Sequence, residues 1–216
     1  MKLFKMDAGS LDLQAIAAAC DAIKRGELVV FPTETVYGLA ADALAEESVQ
    51  RVFSVKARET GHPLPVQIPS AEYLPQVAAD VSEQAVRLAE RYWPGPLTLV
   101  LRRCEFIPDL VTAGRDTVGV RVPDHPVALA LLGRIGTPIV ATSANISGQG
   151  PPTSAQQAVA ALGDAVAVVL DAGQSRLAVP STVVDVTTLP PRILRQGSIE
   201  TEAIREILGD VSDSAQ

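Results

Sequence analysis

Glu27-Leu-Val-Val-Phe-Pro-Thr-Glu-Thr-Val-Tyr-Gly38 decides how the rest of the chain is read. Residues 27–31 are short, apolar and β-branched, which suits a buried strand better than a helix. Pro32 ends the strand and opens a turn. Thr33, Glu34 and Thr35 then place hydroxyls and a carboxylate at its C-terminal end, where open α/β sheets hold their ligands. Alone, the segment also reads as a capped turn, because Thr and Glu at this spacing satisfy backbone donors. Residues 36–43 read as extended or irregular.

Outward from this stretch, helical and strand patterns alternate. A short strand at 3–6 precedes a helix capped by Ser10 that runs to about Arg25 and closes at Gly26. Glu46 to Lys56 is an amphipathic helix. Further strands are expected at 64–68 (interrupted by Pro65), 97–101, 117–122, 138–141, 166–170, 182–186 and 193–195. Further helices are expected at 81–92 and 126–132, from Thr153 or Ser154 through Leu162, and at 201–208. Several neighbouring strands lack an intervening helix, which argues for a mixed sheet. The fold class is therefore α/β or α+β: a single domain over residues 1–210, with one large twisted mixed sheet and flanking helices. Residues 211–216 read as a polar, frayed, flexible tail.

Composition bounds the function. The chain has 216 residues, 47% of them hydrophobic, enough for a sizeable core without a metal or disulfide framework. Lys and Arg number 18 against 25 Asp and Glu, a net charge of −7. That balance argues against a surface that grips nucleic acid throughout, yet it leaves room for a local basic pocket. Cys20 and Cys104 form no CxxC pair, which excludes a disulfide scaffold and the usual structural zinc layouts. Met1 to Asp7 lacks the apolar stretch of a signal peptide, and no apolar run approaches the ~18 residues of a membrane helix. The expectation is a soluble, cytoplasmic protein with no membrane contact. HExxH, a Walker A Gly-Lys pair, GxGxxG and GxSxG are all absent.

Three further segments look chemical. Lys56-Ala-Arg58, followed by His62-Pro-Leu64, sets a point charge and a planar fork two residues apart, a compact anion clamp; Lys56 also suits a helix C-terminus. Ile139 to Gly148 runs from a buried strand into Thr142, Ser143, Asn145 and Ser147. Such a turn can aim hydroxyls and backbone N–H groups at an anion, or it is an ordinary Ser/Asn turn. Ser143 has no evident His–acid partner that would make it a nucleophile. Finally, Arg121 and Arg195 sit inside strand-like runs, so they point into water or into a functional cavity. Together the segments favour a cavity for an anionic substrate.

The ordered set PTETVYGL, KxR…PL, WPGPLTLVL, VGVRVP, ATSANISG, PSTVVDV and RQG resembles the YrdC/TsaC family from about Leu11 to Leu208. The resemblance implies a twisted α/β sheet around a concave, positively lined cavity. It implies a threonylcarbamoyl-AMP synthase, a nucleotidyltransferase that uses ATP, L-threonine, bicarbonate and Mg2+ in the t6A modification of tRNA. Transient contact with tRNA or a threonylcarbamoyl-transferase complex belongs to the same picture. On this resemblance Lys56 and Arg58 hold the phosphates. His62, Thr117, Ser143, Asn145, Pro151 and Arg195 contact the nucleotide, and Thr35, Gln67, Arg121 and Ser181 contact threonine. No residue is implied as a metal ligand. Departures are Ala57 and Glu59, where relatives commonly show K-G-R-P, His62 in place of Asn or Lys, and Gln67 in place of a His. An RNA-binding module and a carbamoyltransferase using carbamoyl phosphate are the alternative readings.

Overall fold

Alternation on the strand ending at Phe31 organises the molecule. Val29 and Phe31 pack into one apolar cluster and Val30 into a second, as a period of two requires for a strand covered on both faces. The computed structural model describes residues 1–7 and 10–213. Its strands are β1 (Lys2–Lys5), β2 (Val29–Phe31), β3 (Gly38–Asp42), β4 (Val66–Gln67), β5 (Leu97–Arg102), β6 (Thr117–Arg121), β7 (Ile139–Ser143), β8 (Val168–Asp171), β9 (Thr182–Asp185), β10 (Arg192–Arg195) and β11 (Ser212–Asp213). Its helices are α1 (Leu13–Lys24), α2 (Glu46–Lys56), α3 (Glu83–Tyr92), α4 (Asp109–Thr112), α5 (Pro126–Ile135), α6 (Ala155–Leu162) and α7 (Thr201–Leu208).

All the strands join one sheet in the order β1-β8-β2-β3-β7-β4-β6-β5-β9-β10-β11. Parallel and antiparallel pairings alternate irregularly along it, so the expected mixed sheet is the one observed. One face carries the larger core, into which α2 sends Val49, Val52 and Phe53, α3 sends Leu88, α6 sends Ala158 and α7 sends Ile204. On the other face α1 and α5 supply Ile16, Ala19, Ile23, Val127, Leu131 and Ile135, over β2, β3, β7 and β8. Neither core includes the residues of β4, β5, β6 and β9 that share this second face. That uncovered half of the sheet is where the cavity forms.

The helix ends show which local signals win. Asp12, not Ser10, caps α1, its Oδ1 accepting from the N–H groups of Gln14 and Ala15 at 2.9 and 3.1 Å. Ser154 caps α6, accepting from Gln157 N. α5 passes Leu132 and Gly133 and stops at Gly136, whose φ of +75° is the left-handed geometry that terminates helices. Residues 38–42, expected as extended or irregular, are β3. The short α4 and the 3-10 turns at Ala71–Gln76 and Gly163–Ala165 have no periodicity long enough to announce them. Val211 and Ser212, expected in the tail, are respectively buried and paired: Ser212 and Asp213 add a parallel strand beside Arg192 and Ile193. Residues 214–216 of that expected tail lie outside the described residues. No helix among the described residues is long and apolar enough to cross a membrane.

Candidate active site

Strand alternation builds the floor of a cavity of about 390 Å³. On β6, Val118 and Val120 point into the core, while Thr117, Gly119 and Arg121 face the cavity. On β5, Leu97, Leu99 and Leu101 point down, while Thr98 and Val100 face up. Beside them Ser181, Val183 and Asp185 face up from the β9 segment. β10 breaks the rule. Its register slips between Ile193 and Arg195, so Arg192 and Arg195 both line the cavity although they stand an odd three positions apart. Re-aiming a side chain in this way is what a β-bulge does.

The turn after β2 supplies one wall. Thr33 Oγ1 donates its only proton to Val36 O at 2.6 Å, so in the 2.8 Å contact between the two hydroxyls Thr35 must be the donor. Thr35 Oγ1 in turn accepts from Arg121 Nη2 at 2.9 Å, which leaves it acceptor capacity and no proton to offer. Arg121 is 7% exposed and Glu34 only 1%. The Arg121 Nε donates to Gly95 O at 3.1 Å, and its Nη2 lies 2.7 Å from Glu34 Oε2. A buried cation is thus fixed by a buried carboxylate, with Nη1 unengaged among the described residues. Gln67 joins this end of the cavity, its Oε1 buried and without a partner.

Two glycines let these walls approach. A Cβ on Gly38 would lie 2.6 Å from the ring of Phe31, its cross-strand partner. A Cβ on Gly197 would lie 2.3 Å from Thr182 N and 2.4 Å from Pro180 O. The Gly197 N–H instead donates to Thr182 Oγ1 at 3.0 Å, docking the segment after β10 onto the start of β9. Arg195 then reaches back, donating from Nε and Nη2 to Ser181 O and from Nη2 to Ser181 Oγ at 3.0 Å. Ser181 Oγ also meets Thr98 Oγ1 at 2.8 Å.

The Lys56-Ala-Arg58 turn divides in two. Ala57 takes φ +48° at the end of α2, and Arg58 enters the cavity, its Nη2 donating to Pro63 O at 3.2 Å and its Nε buried without a partner. Lys56 does not enter it. It is 1% exposed, and its Nζ donates to the backbone carbonyls of Ser143 and Asn145, while Lys56 O accepts from Ser147 N at 2.9 Å. Lys56 therefore clasps the 143–147 turn from beneath, a placement the anion-clamp reading did not foresee. Burial first, and then the Arg58 charge, push its ammonium down to about 8.

Of the expected site residues, Thr35, Arg58, Gln67, Thr117, Arg121, Ser143, Ser181 and Arg195 line the cavity together. His62, Asn145 and Pro151 are not among its lining. His62 is exposed. Asn145 is buried, its amide donating to Ile146 O and Gln149 O, and Pro151 is half-buried beside Pro152, whose carbonyl accepts from Tyr37 N. Sequence reading passed over Arg115 at the cavity rim; it placed Glu34, Asp185 and Arg192 inside stretches that look chemical but did not name them as site residues. Both arginines sit at or just before strand starts, where no run of alternation marks them.

The lining carries Arg58, Arg115, Arg121, Arg192 and Arg195 against the single carboxylate of Asp185. Burial pushes the Arg58 guanidinium below its ordinary value, and burial followed by the charges of Arg121 and Arg58 does the same to Arg195. Arginine nevertheless stays cationic in proteins, so this crowd of positive charge is a ready site for an anion. Among the described residues no group of three or more His, Cys, Asp or Glu gathers to hold a metal. The donor set among the described residues does not fit a divalent cation held by the protein.

A family model for Sua5, YciO and YrdC proteins, described as "Telomere recombination", matches residues 21–197. Curated relatives that carry the name threonylcarbamoyl-AMP synthase include those of Pyrococcus abyssi and Bacillus subtilis. That of Pyrococcus abyssi is 45% identical over 196 residues, covering 91% of this chain and 58% of the relative. That of Bacillus subtilis is 40% identical over 197 residues, covering 91% and 57%. The crystal structure of P. abyssi Sua5 complexed with L-threonine superposes with a TM-score of 0.96 at 42% identity, over 99% of this chain and 62% of that one. The chain thus spans about three fifths of the length of these relatives. With the ordered motifs, the mixed sheet and the matched span in agreement, the chain belongs to the Sua5–YciO–YrdC family.

Proposed function

We propose that this chain condenses L-threonine, bicarbonate and ATP into threonylcarbamoyl-AMP and pyrophosphate, a nucleotidyl transfer that serves t6A modification of tRNA. The observation that carries the reading is Arg121, buried and held by Glu34 and Thr35 at one end of an arginine-lined cavity. The names of the Pyrococcus and Bacillus relatives and the threonine complex of P. abyssi Sua5 support it.

In this reading the threonine carboxylate pairs with Arg121, whose Nη1 is open to it, and the amino acid's donors meet Thr35 Oγ1 and Gln67 Oε1. Threonine's amine nitrogen forms a bond to the bicarbonate carbon, and water is lost, giving a carbamate. A carbamate oxygen then bonds to the α-phosphorus of ATP as the bond to the β-phosphate bridge breaks, and pyrophosphate leaves. Arg58, with Ser143, neutralises and orients the phosphates, and Thr117 and Arg195 contact the nucleotide; Ser181 holds Arg195 in place. Lys56 contributes by fixing the Ser143 turn. Positioning of this kind is worth ~7–11 kcal/mol in favourable cases, and preorganised cations in a water-poor site add to it. Nothing here requires a covalent intermediate, which accords with a site built of arginines and hydroxyls.

The test is pyrophosphate release by purified protein. The expected result is release that requires ATP, threonine and bicarbonate together. Release that ignores threonine, or that proceeds only with carbamoyl phosphate as carbon source, would overturn the assignment.

A further inference from the structure

We propose that Asp185 reads a ribose hydroxyl of the bound nucleotide, a specificity role that rests on the function proposed above. Asp185 is the only carboxylate among the described residues lining the cavity. One of its oxygens is committed. Oδ1 accepts from the Thr187 N–H at 2.9 Å and from the Thr187 hydroxyl at 2.6 Å, which fixes the carboxylate's orientation. Among the described residues Oδ2 has no hydrogen-bond partner.

The surroundings order a nucleotide along the sheet. In register, Asp185 stands beside Val100 on β5 and Arg192 on β10, and Gly119 on β6 stands opposite Val100. Gly119 and Val100 make a low apolar floor that ends at Asp185. A carboxylate repels phosphates strongly where water is scarce, so the phosphate chain runs away from Asp185, toward Arg58 and Ser143. Ser143 on β7 lies four strands across the sheet, about 19 Å in the lateral direction at the usual strand spacing. One strand beyond Asp185, on the other side, β10 presents Leu194 to the cavity, apolar and 37% exposed, as a surface for a base. Between base and phosphates comes the sugar. Its hydroxyls are donors that a fixed, open carboxylate oxygen accepts, and a hydrogen bond to a charged acceptor is among the stronger kinds.

The experiment is calorimetric titration, without threonine, of wild type, Asp185→Ala and Thr187→Val with ATP, 2′-deoxy-ATP, 3′-deoxy-ATP and inosine triphosphate. Wild type should bind one of the two deoxy analogues about tenfold or more weakly than ATP. Asp185→Ala should bring that ratio close to one. Thr187→Val should keep it, because it loosens Oδ1 without removing the acceptor, and a merely structural role for Asp185 predicts that both variants behave alike. Should Asp185→Ala fold poorly, Asp185→Asn keeps an oxygen for Thr187 while replacing the open acceptor with a donor, and it should also lose the discrimination. Retention of the ratio in the Asp185 variants, no discrimination in wild type, or a collapse confined to inosine triphosphate would each overturn the assignment. Binding is measured without turnover, so ATP binding with the expected discrimination but no threonine-dependent pyrophosphate release defeats only the proposed function. Absence of ATP binding defeats both.

Discussion

Arg121 and Glu34 form a buried ion pair, and such a pair is costly to break from one side. Arg121→Met would leave the Glu34 carboxylate buried with no cation, a loss of about 3–5 kcal/mol. Chemical denaturation should show that loss, and adding Glu34→Gln should recover much of it; a single substitution without effect contradicts the pairing. Ala57 holds a left-handed conformation at φ +48° that costs a non-glycine residue roughly 1–2 kcal/mol. Ala57→Gly gives part of this back as unfolded-chain entropy, so a net gain of about 1 kcal/mol or less is expected as a higher melting temperature. Lys56 tests the clasp by pH. Its folded value is down near 8 against an ordinary 10.5. Between those values the unfolded chain holds the proton that the folded chain has released, so stability from this group rises with pH, by at most ~1.4 kcal/mol per unit. It is lost as pH falls through 8. The neutral amine keeps two N–H groups, enough for both carbonyls. Urea melts at pH 7.5 and 10 should show wild type gaining on Lys56→Met; parallel behaviour contradicts a buried ammonium.

At the scale of elements, glycine placement and the β10 bulge decide whether the cavity exists. Gly197→Ala puts a methyl onto backbone atoms of residues 180–182 that cannot rotate away. Overpacking of this kind costs typically 1–3 kcal/mol. It should also displace Ser181 and Arg195, so weakened ATP binding should accompany the lowered stability; normal binding with normal stability contradicts the docking described. Most elements were legible in the sequence because their signals are local. The spacing of Val49, Val52 and Phe53 marks α2, the apolar run at 97–101 marks β5, and Ser154 marks the start of α6. Elements that depend on partners were not. β3 is poor in β-branched residues and becomes a strand by pairing with β2 and β7, and Ser212–Asp213 becomes one because β10 offers a free edge. Site residues divide in the same way. Arg121 and Arg195 stand out as charges inside strand-like runs, whereas the register slip that brings Arg192, Leu194 and Arg195 to one cavity is not revealed by composition. The burial of Lys56 follows from the path of the 143–147 turn, a tertiary fact.

For the whole molecule, a net charge of −7 surrounds a cavity with five arginines and one carboxylate. Exposed Glu46, Glu47, Glu202 and Glu206 belong to the acidic shell. The −7 balance weighs against tight binding of nucleic acid over the whole surface, while the cavity concentrates positive charge where the proposed function brings a nucleotide and an amino acid together. The half-covered sheet is what makes this possible, since α1 and α5 leave β4, β5, β6 and β9 open on one face. The central claim is that one cavity joins three reactants, and the most direct measurement follows labelled bicarbonate. Incubated with the protein, ATP and L-threonine, label should enter an adenylate that also contains threonine, and omission of either partner or the Arg58→Ala substitution should abolish it. Label that never reaches a threonine-containing adenylate, or that reaches it equally with Arg58→Ala, would contradict the account.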